Sequence, residues 1–320
     1  METSWDVIVI GGGAAGLSAA LMLGRARRRT LVVDARAPRN RFAAHMHGVL
    51  GNEGVAPSAL LERGRAEAAC YGVVDHVGTV ARVDVDDASD LLDAGVRVTL
   101  DDGTILSAKA IVVTSGMADD LPAIPGLAER WGDRVLHCPF CHGWEVQDQR
   151  LGVIMTSPLS MHQALMVRQW SDRVVAFTAG AGTLDLDALE RLHARSIEVV
   201  ESAVVSLEGG AAPEPLVVRT ADGVSTDVDA VFTGGSPRPH EGFLAHLDLD
   251  RAEHPMGSFI TGGMTGATSD PRIWVAGNVS NPGATVPMAM GAGAMAGAAV
   301  NGALVEAETL AAVTIARAAR

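Results

Sequence analysis

Residues 5–35, WDVIVIGGGAAGLSAALMLGRARRRTLVVDA, constrain the fold more than any other stretch of this chain. An apolar run at 7–10 enters Gly11-x-Gly13-x-x-Gly16, a segment with helical spacing follows, and a second apolar run at 31–33 ends in Asp34. That order is a β-α-β unit built around a nucleotide-binding turn. Gly11 permits the tight turn, Gly13 lets the backbone approach a pyrophosphate, and Gly16 lets helix and strand pack closely. The helix start offers N–H groups and the positive end of its dipole to the phosphates. Asp34 can accept from ribose hydroxyls, which suits an unphosphorylated ribose such as that of FAD or NAD.

With 320 residues, 48% of them hydrophobic and 20% charged, the chain can build one large domain or two ordinary ones. Aromatics are only 4% while Gly and Ala abound, which favours close backbone packing, as around a large flat cofactor. A formal charge of −13 argues against nucleic acid as a partner, since phosphate neutralisation needs Lys and Arg. The basic cluster RARRR at 25–29 falls at the end of the first helix, where cations complement the dipole, and reads as a solvated helix end. The uncharged segment 273–305 has the length of a membrane span, but Asn278, Asn281, Pro282, Pro287 and many glycines interrupt it. A buried strand, loop and helix is expected there, with no membrane partner. No signal-peptide pattern precedes the first strand, so a cytoplasmic protein is expected. The acidic run DVDDASDLLD at 84–93 reads as a solvated turn between strands.

Two of the three cysteines lie in HCPFCHGWE, residues 137–145, where Cys138 and Cys141 are flanked by His137 and His142. In a reducing compartment such a pair is metal-binding or redox-active more often than structural. A metal knuckle, a redox disulfide and ordinary core all remain open on these residues alone. Cys70 is distant and alone, and reads as a small buried core residue. Toward the other end, IWVAGNVSNPGATVPMAMGAGAMAGAAV reads as a strand, a loop after Ala276-Gly277-Asn278, and a helix so poor in large side chains that something packs closely on it.

Over essentially its whole length the chain resembles the low-molecular-weight thioredoxin reductase-like flavoproteins. GGGAAG matches their FAD pyrophosphate turn, and VTSGM at 113–117 and FTGGSPRP at 232–239 match their two crossovers between domains. WVAGNV matches their terminal motif, except that Asn278 stands where the family carries an acid that holds the flavin ribityl chain. The resemblance implies an α/β fold of two Rossmann-like, three-layer ββα domains: a discontinuous FAD domain at 1–117 and 240–320, and an inserted domain at 118–239 carrying the C-x-x-C. It implies FAD contacts at Gly11, Gly13, Ala14, Ala15 and Gly16; at Asp34, Ala35, Arg36 and His47; at Ser115 and Gly116; and at Gly277, Asn278 and Val286. A homodimer is implied as well.

The family's inserted domain carries a second glycine turn, for NADPH, and an arginine cluster for its 2′-phosphate. Here the strand 151–154 is intact, and the helix after it keeps an apolar face at Leu165, Met166 and Trp170. The turn between them has become Met155-Thr156-Ser157-Pro158-Leu159-Ser160, and Thr178-Ala179-Gly180 stands where the cations belong. Side chains would keep a pyrophosphate off that backbone, and Pro158 removes a donor.

On a flavoprotein scaffold the C-x-x-C then suits a redox disulfide better than a zinc site, which needs a second ligand pair, and no metal is expected. A helix N-terminus there would lower a thiol pKa. The motif Cys138-Pro139-Phe140-Cys141-His142-Gly143-Trp144-Glu145 resembles the branch of dithiol oxidases of gliotoxin-, holomycin- and romidepsin-type biosynthesis. That resemblance implies a small-molecule dithiol substrate, with dioxygen as acceptor and hydrogen peroxide as product. Cys138 would take the first substrate thiolate, Cys141 would face the flavin, and His142 would be the base. His137 is either a second candidate base or a hydrogen-bonded strand-end histidine. His45 and His47 either line the site or belong to an ordinary polar loop. Two other readings stand beside this one: a disulfide reductase fed by NADPH or ferredoxin, and a non-enzymatic FAD-bearing redox sensor.

Overall fold

The computed structural model describes residues 4–86, 91–210 and 214–320, so part of the acidic run at 84–93, residues 87–90, lies outside the described residues. The chain divides into two compact units, Met1–Arg39 with Ser58–Ala118 and Pro237–Arg320, and Asn40–Pro57 with Asp119–Ser236. Residues 40–57, read from sequence as part of the first domain, group with the second.

β1 (Ser4–Ile10), α1 (Ala14–Arg25) and β2 (Thr30–Asp34) form the β-α-β unit. α2 (Pro57–Ala69), β3 (Val74–Val77), β4 (Val80–Val85), β5 (Val96–Leu100) and β6 (Ile105–Val113) follow. The chain crosses by β7 (Met117–Asp120) to β8 (Val135–Leu136), α3 (Pro139–His142), β9 (Leu151–Ile154), α4 (Ser160–Val167), β10 (Val174–Phe177), α5 (Leu186–Ala194) and β11 (Glu198–Val200). β12 (Val204–Glu208), β13 (Leu216–Thr220), β14 (Ser225–Val228) and β15 (Ala230–Thr233) complete the second unit. The chain returns by β16 (Ser236–Pro239) to β17 (Arg251–His254), β18 (Gly257–Ile260), β19 (Ile273–Val275) and α6 (Val286–Ala318).

In the first unit β3, β2, β1 and β6 lie side by side in parallel. The long β6 pairs antiparallel with β5 near its start and parallel with β19 over Ile111 to Val113, and β4 continues the sheet beyond β5. Alternation along β1 sends Val7 and Val9 to one apolar cluster with α1 and α6, and Ile8 and Ile10 to the other. The small residues of α6 are explained by α1: a Cβ on Gly297 would stand 2.6 Å from the Ala19 carbonyl oxygen, and one on Gly293 would overlap that of Ala15.

Segment 273–305 is thus a strand and a helix, buried along β19 and on the α6 face carrying Gly293, Ala296, Gly297, Val300 and Leu304. Its outer face is not buried: Met288 and Met295 are exposed, as are Leu310 and Ile315 further along. Among the described residues α6 is the one helix long and apolar enough to cross a membrane. The RARRR cluster is exposed at Arg25, Arg27 and Arg29, as expected of a solvated helix end, and cations within it also have partners: Arg25 donates to the Tyr71 hydroxyl at 2.6 Å, and Arg28 pairs with Glu308.

In the second unit β11, β10, β9, β15 and β8 form a wholly parallel sheet. Leu151, Val153, Val174 and Ala176 face α4 and α5, while Ile154, Val175 and Phe177 face the antiparallel β12-β13-β14 sheet. Both units therefore have the three-layer ββα architecture of a Rossmann-like domain. One expected detail differs. α4 ends at Val167, so Trp170 is not on its apolar face but beyond it.

Candidate functional site

In the first unit the carboxyl ends of β1, β2, β6 and β19 converge on the glycine turn, the place where open α/β sheets hold ligands. Gly11 has φ +103°, and a Cβ there would stand 2.9 Å from Ser115 Cα. A Cβ on Gly16 would stand 2.6 Å from the Thr114 hydroxyl. Gly13 differs: nothing lies within 4 Å of where its Cβ would be. It is the N-cap of α1, no side chain caps that end, and the first turn, with Ala14 and Ala15, carries no acid. An uncapped helix start facing open space is a cradle for a phosphate anion.

Asp34 lies against this turn, 2.8 Å from where a Gly12 Cβ would stand, and pairs with Arg36 at 3.3 Å and Arg65 at 3.2 Å. Ala35 beside it is exposed, and Arg36 also pairs with Asp75. The Ser115 hydroxyl donates to the His240 carbonyl at 2.5 Å, and Gly116 takes φ +70°. Gly277, at φ +78°, comes close enough to α1 that its Cβ would meet Ala15 Cβ at 3.0 Å. Asn278 uses its amide N–H groups on the carbonyls of Asn281, Pro282 and Ala284. A carboxylate cannot donate these bonds, so the residue that departs from the family pattern shapes the loop into Val286, the first residue of α6. These residues fit FAD: Gly13, Ala14 and Ala15 would hold its pyrophosphate, and Asp34 its adenosine ribose. Among the FAD contacts expected from sequence, His47 alone lies in the other unit.

The matching turn of the second unit is closed by its own side chains. Ser160 Oγ accepts from the backbone N–H groups of Thr156 at 3.1 Å and Ser157 at 3.4 Å, the places of Gly12 and Gly13 in the first turn, and Pro158 has no N–H at the place of Ala14. The Thr156 hydroxyl is spent on the Gly234 carbonyl at 3.2 Å. A cavity of about 480 Å³ opens at this sheet edge over Ile154, Met155, Phe177 and Gly180, and no Lys, Arg or His lines it.

Cys138 and Cys141 form a disulfide. Cys138 is the N-cap of α3 and Pro139 its first residue, a position proline favours because its missing N–H has no helical partner there. α3 is a single turn, so a dipole effect on the thiols is confined to that turn. Both cysteines and both adjacent histidines are half-buried. Burial holds the His142 imidazole below its ordinary pKa of 6.5, with Glu145 opposing and His47 and His137 assisting. His137 is held through its carbonyl, which accepts from Gln163 at 2.6 Å.

Segment 40–57 brings His47 to this motif: its Nδ1 contacts Glu53 at 2.6 Å and its Nε2 contacts Glu145 at 3.4 Å. The His47 contact holds the Glu53 carboxyl below its usual range. Glu145, omitted from the expected catalytic set, and Glu53 and Gln163, unnoticed in the sequence, therefore belong to the surroundings of the disulfide. His45 is exposed. Cys70 is not a core residue. It follows α2 on the surface, and its thiol donates to the Ala66 carbonyl at 3.3 Å, as an outward side chain at a helix end can.

Residues 5–293 match the family model described as pyridine nucleotide-disulphide oxidoreductase. The chain is similar to the crystal structure of HlmI, with a TM-score of 0.92 and 43% identity over 98% of this chain and 97% of that one. It is 27% identical to "Thioredoxin reductase sirT" of Leptosphaeria maculans over 92% of both chains. A relative from Arthroderma benhamiae is 34% identical over 184 residues, which span 45% of that protein's own length. The glycine cradle, the disulfide and these matches together make the chain an oxidoreductase acting on sulfur groups, a thioredoxin reductase-like member of the FAD-binding pyridine nucleotide-disulphide oxidoreductase family.

Proposed function

We propose that the protein is a dithiol oxidase that closes an intramolecular disulfide in a small-molecule dithiol. One observation carries the reading: in the turn at 155–160 the N–H groups of Thr156 and Ser157 are spent on Ser160 and Pro158 has none, while the Cys138–Cys141 disulfide stands beside a half-buried neutral imidazole. Electrons then enter at the disulfide and not from a pyridine dinucleotide.

The first substrate thiol loses its proton to His142, which burial keeps neutral and able to accept near neutral pH. The thiolate attacks Cys138 Sγ, the Cys138–Cys141 bond breaks, and Cys141 leaves as a thiolate. The second substrate thiolate attacks the substrate sulfur of this mixed disulfide and releases Cys138, giving the cyclic disulfide and a reduced cysteine pair. Two electrons and two protons have left the substrate. Bound FAD would supply two-electron acceptance, with dioxygen as final acceptor and hydrogen peroxide as product. Glu145 and Glu53 hold His47 beside the motif, so protons released there meet an already anionic surround.

The test follows the flavin absorbance of the purified protein anaerobically, with NADPH in one cuvette and dithiothreitol in another, and then admits air. Bleaching by the dithiol alone, with recovery and peroxide on aeration, is expected. Bleaching by NADPH would make the protein a reductase. A Cys138→Ser or Cys141→Ser protein should keep its flavin and lose bleaching by the dithiol.

A further inference from the structure

The chain has only 12 aromatic residues, five Trp, six Phe and one Tyr, yet two of them stand exposed within the redox motif itself. Phe140, between the two cysteines, is 72% exposed, and Trp144, three residues after Cys141, is 69% exposed. The backbone at Gly143 is still helical, so residues 140 and 144 project from neighbouring positions of one turn.

Phe140 is not a loose side chain. Its ring meets that of Trp170 edge to face, with centroids 5.6 Å apart and planes at 89°. Trp170 can lie there because position 143 has no side chain: a Cβ on Gly143 would stand 2.6 Å from the indole Cδ2. Pro139 is buried beneath and fixes the start of the turn. A large apolar ring held rigid and left open to water is costly to keep and cheap to cover, because no further ordering entropy is lost when a ligand stacks on it.

We infer that Phe140 and Trp144 form a stacking platform that selects dithiols built on a flat, uncharged ring, a specificity that rests on the oxidase reading above. Phe140 lies between the two cysteines and Trp144 three residues after the second, so a planar ring stacked on this turn would carry its thiols to Cys138. A folded protein dithiol is the competing occupant.

Two reagents separate ring recognition from thiol chemistry. 1,2-Benzenedimethanethiol and dithiothreitol both close to six-membered cyclic disulfides, and only the first carries a planar ring. The ratio of kcat/KM for the arene dithiol to that for dithiothreitol should exceed one in the wild-type protein. It should fall about three- to tenfold in Phe140→Ala and again in Trp144→Ala, the scale of single aromatic contacts, mainly through KM. Phe140→Tyr and Trp144→Phe should restore it. A ratio that stays constant across the variants would overturn the platform, as would reduced thioredoxin turning over faster than either reagent and failing with the same substitutions.

The S,S′-dimethylated arene, which cannot react, gives a readout independent of turnover. Calorimetric binding to the wild-type protein that is lost in Phe140→Ala would uphold the platform even if no dithiol were oxidised. Equal binding, or none, in both proteins would sink it.

Discussion

Two six-residue turns, 11–16 and 155–160, each join a central parallel strand to the helix that packs on its sheet. The first reads Gly-Gly-Gly-Ala-Ala-Gly and the second Met-Thr-Ser-Pro-Leu-Ser. In the first, the helix start has no side-chain cap and Gly13 faces open space. In the second, Ser157, at the place of Gly13, and Thr156 before it donate to Ser160, and Pro158, at the place of Ala14, has no N–H. The sheets around them are nonetheless of one kind, because strand alternation and helix burial carry the architecture and neither needs the glycines. Phosphate chemistry is a thin layer on a nucleotide-binding fold, and it can be removed while the fold persists.

The sharpest break of that comparison is at its last position. Gly16 has no room for a Cβ, with the Gly11 carbonyl and the Thr114 hydroxyl both in the way, whereas position 160 already carries one. Gly16→Val should therefore give no folded protein, visible as loss of soluble yield and of a cooperative melting transition. Gly13→Val is the complementary case. The space beside Gly13 is open, so the variant should fold and melt close to the wild-type protein, yet purify without flavin absorbance. A flavin-loaded Gly13→Val protein would mean that the pyrophosphate does not lie there.

How much of this was legible in the sequence differs by region for physical reasons. The first turn was, because strand, glycine spacing, helix and Asp34 lie within thirty residues and each has a local rule. The loss at 155–160 was legible for the same reason, although the Ser160 hydroxyl that closes the turn was not singled out. The contacts of His47 with Glu53 and Glu145 had no such rule: residues 40–56 lack regular structure, and nothing periodic says which unit they join. Cys70 was misplaced because a cysteine's burial depends on which side of a helix end it falls. Trp170 continued the helical spacing of Leu165 and Met166, but the helix stops at Val167 and leaves the indole free for Phe140.

If electrons enter at the cysteines and not at the second turn, the pH profile should follow His142. Its folded pKa lies below 6.5 because burial disfavours the cation. Dithiol oxidation should accordingly hold level from pH 8 down past 6.5 and fall only as the lowered value is crossed. His142→Gln should cut the rate about a hundredfold at neutral pH and remove that acid limb. Stability changes in the same window. The unfolded chain takes up the proton near 6.5 and the folded one only at lower pH, so the neutral histidine's contribution is present above 6.5 and is lost as pH falls through the folded value. A stability curve with the opposite slope between those limits would contradict the burial of His142. A rate unaffected by His142→Gln would move the base to His137.

The smallest effect tests the closed turn itself. Ser160→Ala removes the oxygen that accepts from Thr156 and Ser157, and should cost about 1 kcal/mol, the net worth of an ordinary hydrogen bond. The melting temperature should drop by a few degrees at most, since water can reach both half-buried residues and take over the N–H groups. Met155, Thr156 and Pro158 still cover the backbone in this variant, and no cation lines the cavity, so NADPH should still fail to bleach the flavin. If it bleached in Ser160→Ala, one hydroxyl would be all that separates the two turns, and the side chains at 155–158 would be incidental. If it failed even when 155–160 was replaced by the sequence of 11–16, the missing cations would be the deeper difference, since a glycine turn supplies donors but no charge to hold a 2′-phosphate.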